Sequence, residues 1–359
     1  MAVSRLSIAF LLESTVLCGG VKVVLNLAAS LNQRGHEVEI ISSDRQPDWF
    51  KRKVAFTSSD PFKCTGARFD RVVSTTYRLA AAHFRHNESG RHWHLVQGFE
   101  GGLSECRQML PEIDMAYRLP IPRITVSQNL AEKLALRYPQ NLFVPIGQGL
   151  ETNFFYPPQE WRQKARHTPE FLFLVGPLRI SVKQVESGLK AFGKARKKHP
   201  GLKLIRISPV DTRQQEEKIA GKINEYYVHI HPEKIGELFR TRNALLLAPS
   251  GPGEGFGLPP LEAMACALPA VVSDTPGFRS FGEPADYARF VKHNDYHDMA
   301  AGVCELLSDV DKREYYALRG PQVAGGYSFE SMADKFEKIL HEYSREKSAV
   351  GNHSGGPRW

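Results

Sequence analysis

The sequence has no long apolar run. No stretch of its 359 residues approaches the roughly 18 consecutive uncharged apolar residues that a membrane-spanning helix needs. The opening MAVSRLSIAFLLEST contains only a short apolar segment, which ends at Glu13. We therefore expect a cytoplasmic protein without a cleaved signal peptide.

Cysteine is also scarce, with five residues at positions 18, 64, 106, 266 and 304. The number is odd, and no spacing matches the paired CxxC or Cys/His patterns of zinc sites, so neither a disulfide framework nor a zinc site is indicated. The first predicted strand is not followed by GxGxxG, which argues against a dinucleotide-dependent oxidoreductase.

Basic residues outnumber acidic ones, 47 to 39, and the formal charge is +8. Such a balance suits nucleic acid, an anionic membrane surface or a phosphate-rich small substrate. The densest basic run, at 190–200, has helical spacing but no nucleic-acid-reading motif beside it, so we predict a solvated helix face and no nucleic-acid partner. The basic residues 51–53 follow Trp49 and Phe50, and they fit either a peripheral membrane contact or a solvated loop.

Short apolar segments alternate with amphipathic ones along nearly the whole chain. Residues 5–12 predict a buried strand, residues 21–34 a helix that Gly35 ends, and residues 36–42 a second strand. Further strands are predicted at 71–74, 92–97, 124–127, 141–147, 171–176, 202–208 and 244–250. This alternation is typical of α/β proteins with parallel, doubly wound sheets.

The chain is longer than a single hydrophobic core usually supports, so two domains are expected. Prolines and charges at 155–169 suggest a linker between two Rossmann-like domains. We predict these domains at 1–155 and 156–329, an amphipathic helix at 330–347 that packs back on the first domain, and a disordered tail at 348–359.

The segment GPGEGFGLPPLEAMACALPAVVSD, residues 251–274, carries the strongest site signal. It follows a predicted strand, and ligands of open α/β sheets bind at the carboxyl ends of strands. Its glycines permit unusual backbone angles and let main-chain N–H groups approach a bound group closely. The double proline suits the first turn of a helix that begins near Leu258. The free N–H groups and positive dipole end of that helix predict an anion site, most naturally for a diphosphate.

Two carboxylates flank this turn. Glu262 falls in the first or second turn of the helix, where an ionised carboxylate can accept hydrogen bonds from a ribose diol. Glu254 would face the hydroxyls of a sugar beyond the phosphates. Plainer interpretations stay open, because Glu262 could only complement the helix dipole and Glu254 could be a solvated loop residue. The combination of strand, glycine turn, double proline and small-residue helix favours the functional interpretation.

This Glu-to-Glu segment resembles the hallmark of the retaining glycosyltransferases of family 4, which carry it in the second domain of a GT-B fold. The resemblance covers nearly the whole chain. Residues 19–42 are similar to the family's Gly-Gly loop, first helix and Arg-Gly-His-Glu-Val turn, and ITVSQNLAEKL and VPIGQGLETNFFYP are similar to its pre-linker signature. HLVQGFE, at 94–100, is similar to a rhamnosyltransferase-like subgroup.

The resemblance implies transfer of a sugar from a nucleotide diphosphate sugar to a hydroxyl acceptor, with the anomeric configuration retained and normally without a metal. The catalytic residues that it implies are Glu254, Lys183 and Arg179, with both cations on the diphosphate. The implied donor-binding residues are Gly255, Phe256, Gly257, Leu258, Glu262, Gly19 and Gly20. A solvated loop residue is the alternative for Arg179, and an ordinary tight turn is the alternative for the glycine pair.

Many family members carry a histidine at the end of a first-domain strand, and here that position is Gln97. We expect Gln97 and Glu100 on the acceptor side. Glutamine cannot act as a general base at neutral pH, so Gln97 would bind a sugar hydroxyl. His94 is predicted on the buried face of its strand. Ala267 also departs from the family, which usually has Gly there.

Other functions stay open at this point. A nucleotide-sugar epimerase or a sugar phosphorylase can use the same architecture, and a catalytically silent homologue can bind nucleotide without turnover. The presence of Glu254, Glu262 and Lys183 argues against the silent homologue. The base, the donor sugar, the acceptor and the linkage leave no signature in the residues.

Overall fold

The computed structural model describes residues 5–86, 91–283 and 286–350. Seven strands form the first sheet: β1 Ser7–Leu12, β2 Glu37–Ser42, β3 Ala55–Ser58, β4 Arg71–Ser74, β5 His92–Val96, β6 Arg123–Thr125 and β7 Phe143–Pro145. The helices between them are α1 Gly19–Gln33, α2 Tyr77–His86, α3 Leu110–Arg118 and α4 Gln128–Arg137. All strands are parallel, in the order β3-β2-β1-β4-β5-β6-β7.

Six strands form the second sheet: β8 Phe171–Val175, β9 Lys203–Ser208, β10 Glu225–Val228, β11 Ala244–Ala248, β12 Ala270–Ser273 and β13 Arg289–Val291. The helices of this half are α5 Trp161–Arg166, α6 Val185–Lys198, α7 Arg213–Ala220, α8 Pro232–Thr241, α9 Leu258–Ala265, α10 Pro276–Arg279, α11 Tyr296–Ser308 and α12 Val310–Ala324. This sheet is also parallel, in the order β10-β9-β8-β11-β12-β13. We call the parts of the chain around the two sheets the N-terminal and the C-terminal domain.

Both sheets are doubly wound, as predicted. In each of them the chain leaves the first strand in one direction and later returns to its other side, so that β1 lies between β2 and β4, and β8 between β9 and β11. The carboxyl ends of the strands on either side of such a switch point frame a crevice where ligands bind. The predicted α/β class with two facing Rossmann-like domains is therefore confirmed.

Local sequence explains the ends of several elements. Gly35 has φ +96°, a left-handed conformation that suits glycine, and it follows the end of α1 as predicted. Ser127 caps α4 by accepting a hydrogen bond from the main-chain N–H of Leu130 at 3.2 Å. Ser127 ends the segment 124–127 that was predicted as a strand, and in the structure β6 spans Arg123–Thr125.

The last helix, α13 Phe329–Val350, lies against the N-terminal domain. Phe336 packs on Phe10 of β1 with ring centroids 5.8 Å apart, and Arg34 at the end of α1 forms ion pairs with Asp334 and Glu337. The helix continues through residues 348–350, so the predicted start of the tail falls inside it, and residues 351–359 lie outside the described residues. Within the described ranges, no helix is both long and apolar enough to span a bilayer.

Candidate active site

Two loops meet at the switch point of the C-terminal sheet. One follows β8 and spans residues 176–184, and the other follows β11 and contains residues 251–257, which we call the glycine loop. Lys183 comes from the first loop and Glu254 from the second. Their side chains form an ion pair with Nζ 2.7 Å from Oε2, and the hydroxyl of Ser250 donates to the same oxygen at 3.2 Å. The structure thus brings together two of the three predicted catalytic residues.

Arg179 lies on the same loop as Lys183, four residues earlier, and its side chain is exposed. This placement agrees with the solvated alternative for Arg179. It also leaves the guanidinium free to move toward a ligand, because an exposed arginine keeps most of its rotamer freedom.

The glycine loop needs its glycines for two different reasons. Gly257 has φ +96° and directly precedes α9, and a Cβ there would collide with the ring of Phe278. Gly255 has no left-handed φ, but a Cβ on it would collide with the main-chain oxygen of Gln97 in the N-terminal domain. The sequence argument attributed these glycines to unusual backbone angles and to close approach to a bound group, whereas Gly255 is required for close approach to the main chain of the other domain.

Phe256 anchors the glycine loop. It is 3% exposed, and its ring packs edge-on against Phe281 and Tyr327 at centroid distances of 4.9 and 5.4 Å. α9 then begins at Leu258, as predicted, with prolines in its first turn. The side chain of Phe256 therefore fixes the loop, and a donor could contact only the main chain of this residue.

Glu262 lies within α9 and is 4% exposed. Its carboxylate forms an ion pair with Lys22 of α1, a residue of the N-terminal domain, and Lys22 also contacts Glu151 at 3.0 Å. The Glu262 carboxylate therefore interacts with the Lys22 ammonium, and not with the dipole of α9 alone. Burial acts to lower the pKa of Lys22, but the two ion pairs outweigh burial and raise that pKa above its ordinary range.

The N-terminal domain forms the opposite wall of the site. Gly19 and Gly20 begin α1, and Gly19 lies beside the side chain of Leu258. The hydroxyl of Ser127 donates to the main-chain oxygen of Gly255 at 2.8 Å, and the amide of Asn129 donates to the oxygen of Pro276 at 2.8 Å. These contacts hold the two domains together at the glycine loop and at the start of α10.

A further link across the gap between the two domains joins Glu105 to the 176–184 loop. Ser181 donates to this carboxylate from its main-chain N–H at 2.5 Å and from its hydroxyl at 2.8 Å. Burial acts to raise the pKa of Glu105, but these hydrogen bonds outweigh it and lower the pKa of the carboxyl. The cavity lined by Lys183, Glu254 and Gly257 measures about 20 Å³, which is too small for a diphosphate, and its lining residues all belong to the C-terminal domain.

The two predicted acceptor-side residues have different surroundings. Gln97 lies at the gap, where its amide donates to the main-chain oxygen of Gly20 at 3.2 Å. Glu100 instead turns into the N-terminal domain, where it accepts hydrogen bonds from the hydroxyl of Tyr117 at 2.8 Å and from the main-chain N–H of Tyr77 at 3.4 Å. Burial raises the pKa of Glu100.

His94 is 1% exposed and lies 5.5 Å from the ring of Tyr117, on the buried strand face that its position predicted. Burial, with a smaller contribution from Arg123, holds the pKa of His94 well below its usual range. Within the described ranges, no group of three or more His, Cys, Asp or Glu side chains is arranged to hold a metal ion.

The sequence argument did not single out Lys22, Glu151, Ser250 or Glu105. A signal existed for Lys22, because it is the one charged residue in VKVVLNLAASL, on a helix whose residues 22–31 are all buried. A buried lysine needs an anionic partner, and this requirement predicts an ion pair at that position. The identity of the partners could not be read from the sequence, since Glu262 lies 240 positions away.

A known protein family matches the part of the chain that contains this site. The family model for glycosyl transferases group 1 matches residues 157–323, which contain Lys183, Glu254 and Glu262. A phosphatidyl-myo-inositol mannosyltransferase of Mycobacterium leprae is 24% identical over 150 residues, which are 42% of this chain and 40% of that protein. A D-inositol 3-phosphate glycosyltransferase of Rhodococcus erythropolis is 28% identical over 127 residues, which are 35% of this chain and 27% of that protein. The chain thus spans less than half the length of these curated relatives.

Solved structures resemble nearly the entire chain. The structure of HepE from Anabaena in complex with UDP-glucose has a TM-score of 0.76 at 14% identity and covers 94% of this chain and 100% of that one. The sucrose-phosphate synthase of Thermosynechococcus elongatus has a TM-score of 0.74 at 16% identity and covers 95% and 100%. At such identities the likeness concerns the fold, which is GT-B. The chain therefore resembles group 1 glycosyl transferases of the family 4 type, in sequence over residues 157–323 and in fold over nearly its whole length.

Proposed function

We propose that the chain is a retaining glycosyltransferase that moves a hexose from a nucleotide diphosphate sugar to a hydroxyl group of a glycan, a lipid-linked glycan or a small glycoside. The observation that carries this proposal is the ion pair of Lys183 and Glu254 at the switch point, directly before the N-terminus of α9. Parallel sheets bind ligands at this position, and helix N-termini favour phosphate groups.

The proposed donor lies between these groups. Its diphosphate faces Lys183, the exposed Arg179 and the main-chain N–H groups of the glycine loop and of Leu258, since Pro259 and Pro260 have none, and its pentose faces Glu262. Its sugar faces Glu254, whose carboxylate can exchange the ammonium of Lys183 for sugar hydroxyls. UDP-glucose in the HepE structure and the glycosyltransferase names of the relatives support a nucleotide-sugar donor.

In the proposed reaction, the bond between the anomeric carbon and the phosphate oxygen breaks while the acceptor oxygen bonds to that carbon from the same face. The acceptor proton passes to the departing phosphate oxygen, and the products are a glycoside and a nucleoside diphosphate. Lys183 and the N–H groups of the glycine loop stabilise the charge that develops on the diphosphate. Because these groups supply positive charge, the proposal includes no metal.

Donor binding requires the domains to separate first. The glycine loop is in contact with the N-terminal domain at Gln97 and Ser127, which closes the gap on the side where the donor would enter. We therefore include a hinge motion that opens the gap, admits the donor and closes again around both substrates.

A donor screen tests this proposal. UDP-, GDP- and dTDP-sugars are each incubated with the protein, with and without a panel of hydroxyl acceptors, and nucleoside diphosphate release and product anomers are followed by NMR. We expect release that depends on the acceptor and a product that keeps the donor's configuration. An inverted product would contradict the retaining mechanism, and an epimerised donor without acceptor would contradict transfer altogether.

Peripheral contact with an anionic membrane at its inner face is a separate and narrower proposal. Phe50 is 5% exposed, and the indole of half-buried Trp49 donates to the oxygen of Thr15, so the aromatic pair cannot insert into lipid. Only Lys51 and Lys53 of residues 51–53 are exposed, so the proposed membrane contact rests on the positive charge of these two lysines. Co-sedimentation with anionic vesicles at low salt tests this contact, and the control variant replaces both lysines by glutamate. Equal binding of the two proteins would contradict a role for these lysines.

A further inference from the structure

Lys22, Glu151 and Glu262 form a buried ion triad. The side chains are 8%, 9% and 5% exposed, in that order, and the ammonium of Lys22 contacts both carboxylates. The ammonium also lies 5.3 Å from the centroid of the Phe155 ring. The Lys22 ammonium is therefore the shared counter-charge of two carboxylates that are largely shielded from water.

The triad joins three separate parts of the chain. Lys22 belongs to α1 of the N-terminal domain, Glu262 to α9 of the C-terminal domain, and Glu151 to the segment that leads from β7 toward the second sheet. Asn26, one turn after Lys22, donates to Glu151 at 3.2 Å and to the main-chain oxygen of Lys22 at 3.0 Å. The arrangement is complete only when the two domains are in contact.

The triad also concerns the residue that the proposed function places at the pentose. Lys22 uses one oxygen, Oε1, of the Glu262 carboxylate. A carboxylate has about four lone-pair directions on two oxygens, so it can accept hydrogen bonds from a diol while it keeps an ion pair. Without the ammonium, two buried carboxylates would face each other, and one of them would bind a proton or turn away.

We propose that Lys22 is a positioning residue for the donor nucleotide. From the N-terminal domain, it pairs with Glu262 and orients this carboxylate so that it accepts the pentose hydroxyls when the gap is closed. This inference rests on the proposed function, in which Glu262 faces the pentose. It assigns part of the nucleotide affinity to a residue outside the domain that carries the glycine loop.

The test measures whether Lys22 and the pentose hydroxyls act through the same carboxylate. Dissociation constants are determined by calorimetry for UDP and 2′,3′-dideoxy-UDP, and for GDP and its dideoxy analogue, with wild type and Lys22→Met. We expect wild type to bind either UDP or GDP about tenfold more tightly than the dideoxy analogue of the same nucleotide, which lacks the pentose hydroxyls. We expect Lys22→Met to bind that diphosphate about tenfold more weakly than wild type does, and to bind its dideoxy analogue about as tightly as wild type does. The analogue already lacks the hydroxyls that bond to Glu262, so the loss of Lys22 removes no further interaction from it.

Two further variants separate positioning from a general loss of structure. Lys22→Arg keeps the charge and should recover part of the affinity for the intact diphosphate. Lys164→Met removes another half-buried ammonium, which donates to the carbonyl groups of Phe239 and Arg240, and should change neither constant. Thermal unfolding checks that each variant is folded. If Lys22→Met is not, Lys22→Gln is measured in the same way with the same expectation.

The outcomes are distinguishable. Equal losses of affinity for the intact and the dideoxy nucleotide in Lys22→Met would overturn the positioning role. Unchanged affinity for the intact nucleotide would also overturn it. Tighter binding of the intact nucleotide would overturn it as well, and would mean that Lys22 competes with the nucleotide for Glu262. In each of these cases the proposed function would stand. Wild type that binds none of UDP, GDP and dTDP would overturn both proposals.

Discussion

The hydroxyl of Ser127 donates a hydrogen bond to the main-chain oxygen of Gly255 at 2.8 Å, and the same hydroxyl accepts from the main-chain N–H of Leu130 at 3.2 Å. One side chain thus caps a helix of the N-terminal domain and contacts the glycine loop of the C-terminal domain. The loop that we assign to the donor is therefore in contact with the other domain when the gap is closed.

Gly255→Ala should prevent the domains from closing fully, because the new Cβ would collide with the main-chain oxygen of Gln97. We expect transfer to slow by about 100-fold, since small displacements of reacting groups are costly. Turnover and the radius of gyration from small-angle scattering measure the effect. Gly253→Ala is the matched control, because its Cβ would lie 3.3 Å from the Val182 side chain and 3.4 Å from the main-chain oxygen of Gly102, whereas the Cβ at position 255 would lie 2.3 Å from that of Gln97. Equal rates for the two variants would contradict this role of the contact.

Lys183→Ala should lower kcat by about 10² to 10³, because Lys183 would stabilise charge that develops mainly in the transition state. The dissociation constant of the nucleoside diphosphate should change less. Steady-state kinetics together with calorimetry separate these effects. Arg179→Ala, which removes an exposed cation of the same loop, should have a smaller effect on kcat. A Lys183 variant that keeps its kcat and loses only affinity would place Lys183 in ground-state binding.

Glu262→Ala should weaken nucleoside diphosphate binding by about 1 to 3 kcal/mol, since it removes an acceptor from buried hydrogen bonds. Glu262→Gln keeps an acceptor oxygen but cannot form the ion pair with Lys22, so its affinity should fall between those of wild type and the alanine variant. Calorimetry measures both. If both variants bind like wild type, the pentose does not contact this residue.

Ala267→Gly should stabilise the protein. Ala267 follows the end of α9 with φ +55°, a left-handed conformation that costs a residue with a side chain about 1 to 2 kcal/mol. The greater freedom of glycine in the unfolded chain offsets part of this gain, so we expect an increase of about 0.5 to 1 kcal/mol in the free energy of unfolding. Urea denaturation measures it. Ala265→Gly, inside α9, should instead be destabilising by about 1 kcal/mol, and a loss at position 267 would refute the strain argument.

Much of the fold could be predicted because parallel strands buried on both faces have continuous apolar segments. The strand predicted at 71–74 has the same bounds in the structure. The strands predicted at 171–176 and 244–250 begin at the predicted residues and differ from the structure only in where they end. β3, β10 and β13 were not predicted. They are three or four residues long and lie at the edges of the two sheets, where most of their side chains are not buried, so their pairing with neighbouring strands decides their conformation.

The site was predictable to the extent that its chemistry is local in the chain. The sequence by itself determined the parallel α/β class, the strand-to-helix turn that carries the glycine loop, and the start of α9 at Leu258, because propensity, apolar periodicity and proline position act over a few residues. Only the tertiary structure decided that Lys183 meets Glu254, that Gly255 lies against Gln97, and that Lys22 is buried between Glu151 and Glu262. These contacts join residues 71 to 240 positions apart, and they depend on how two packed sheets bring their loops together across a gap.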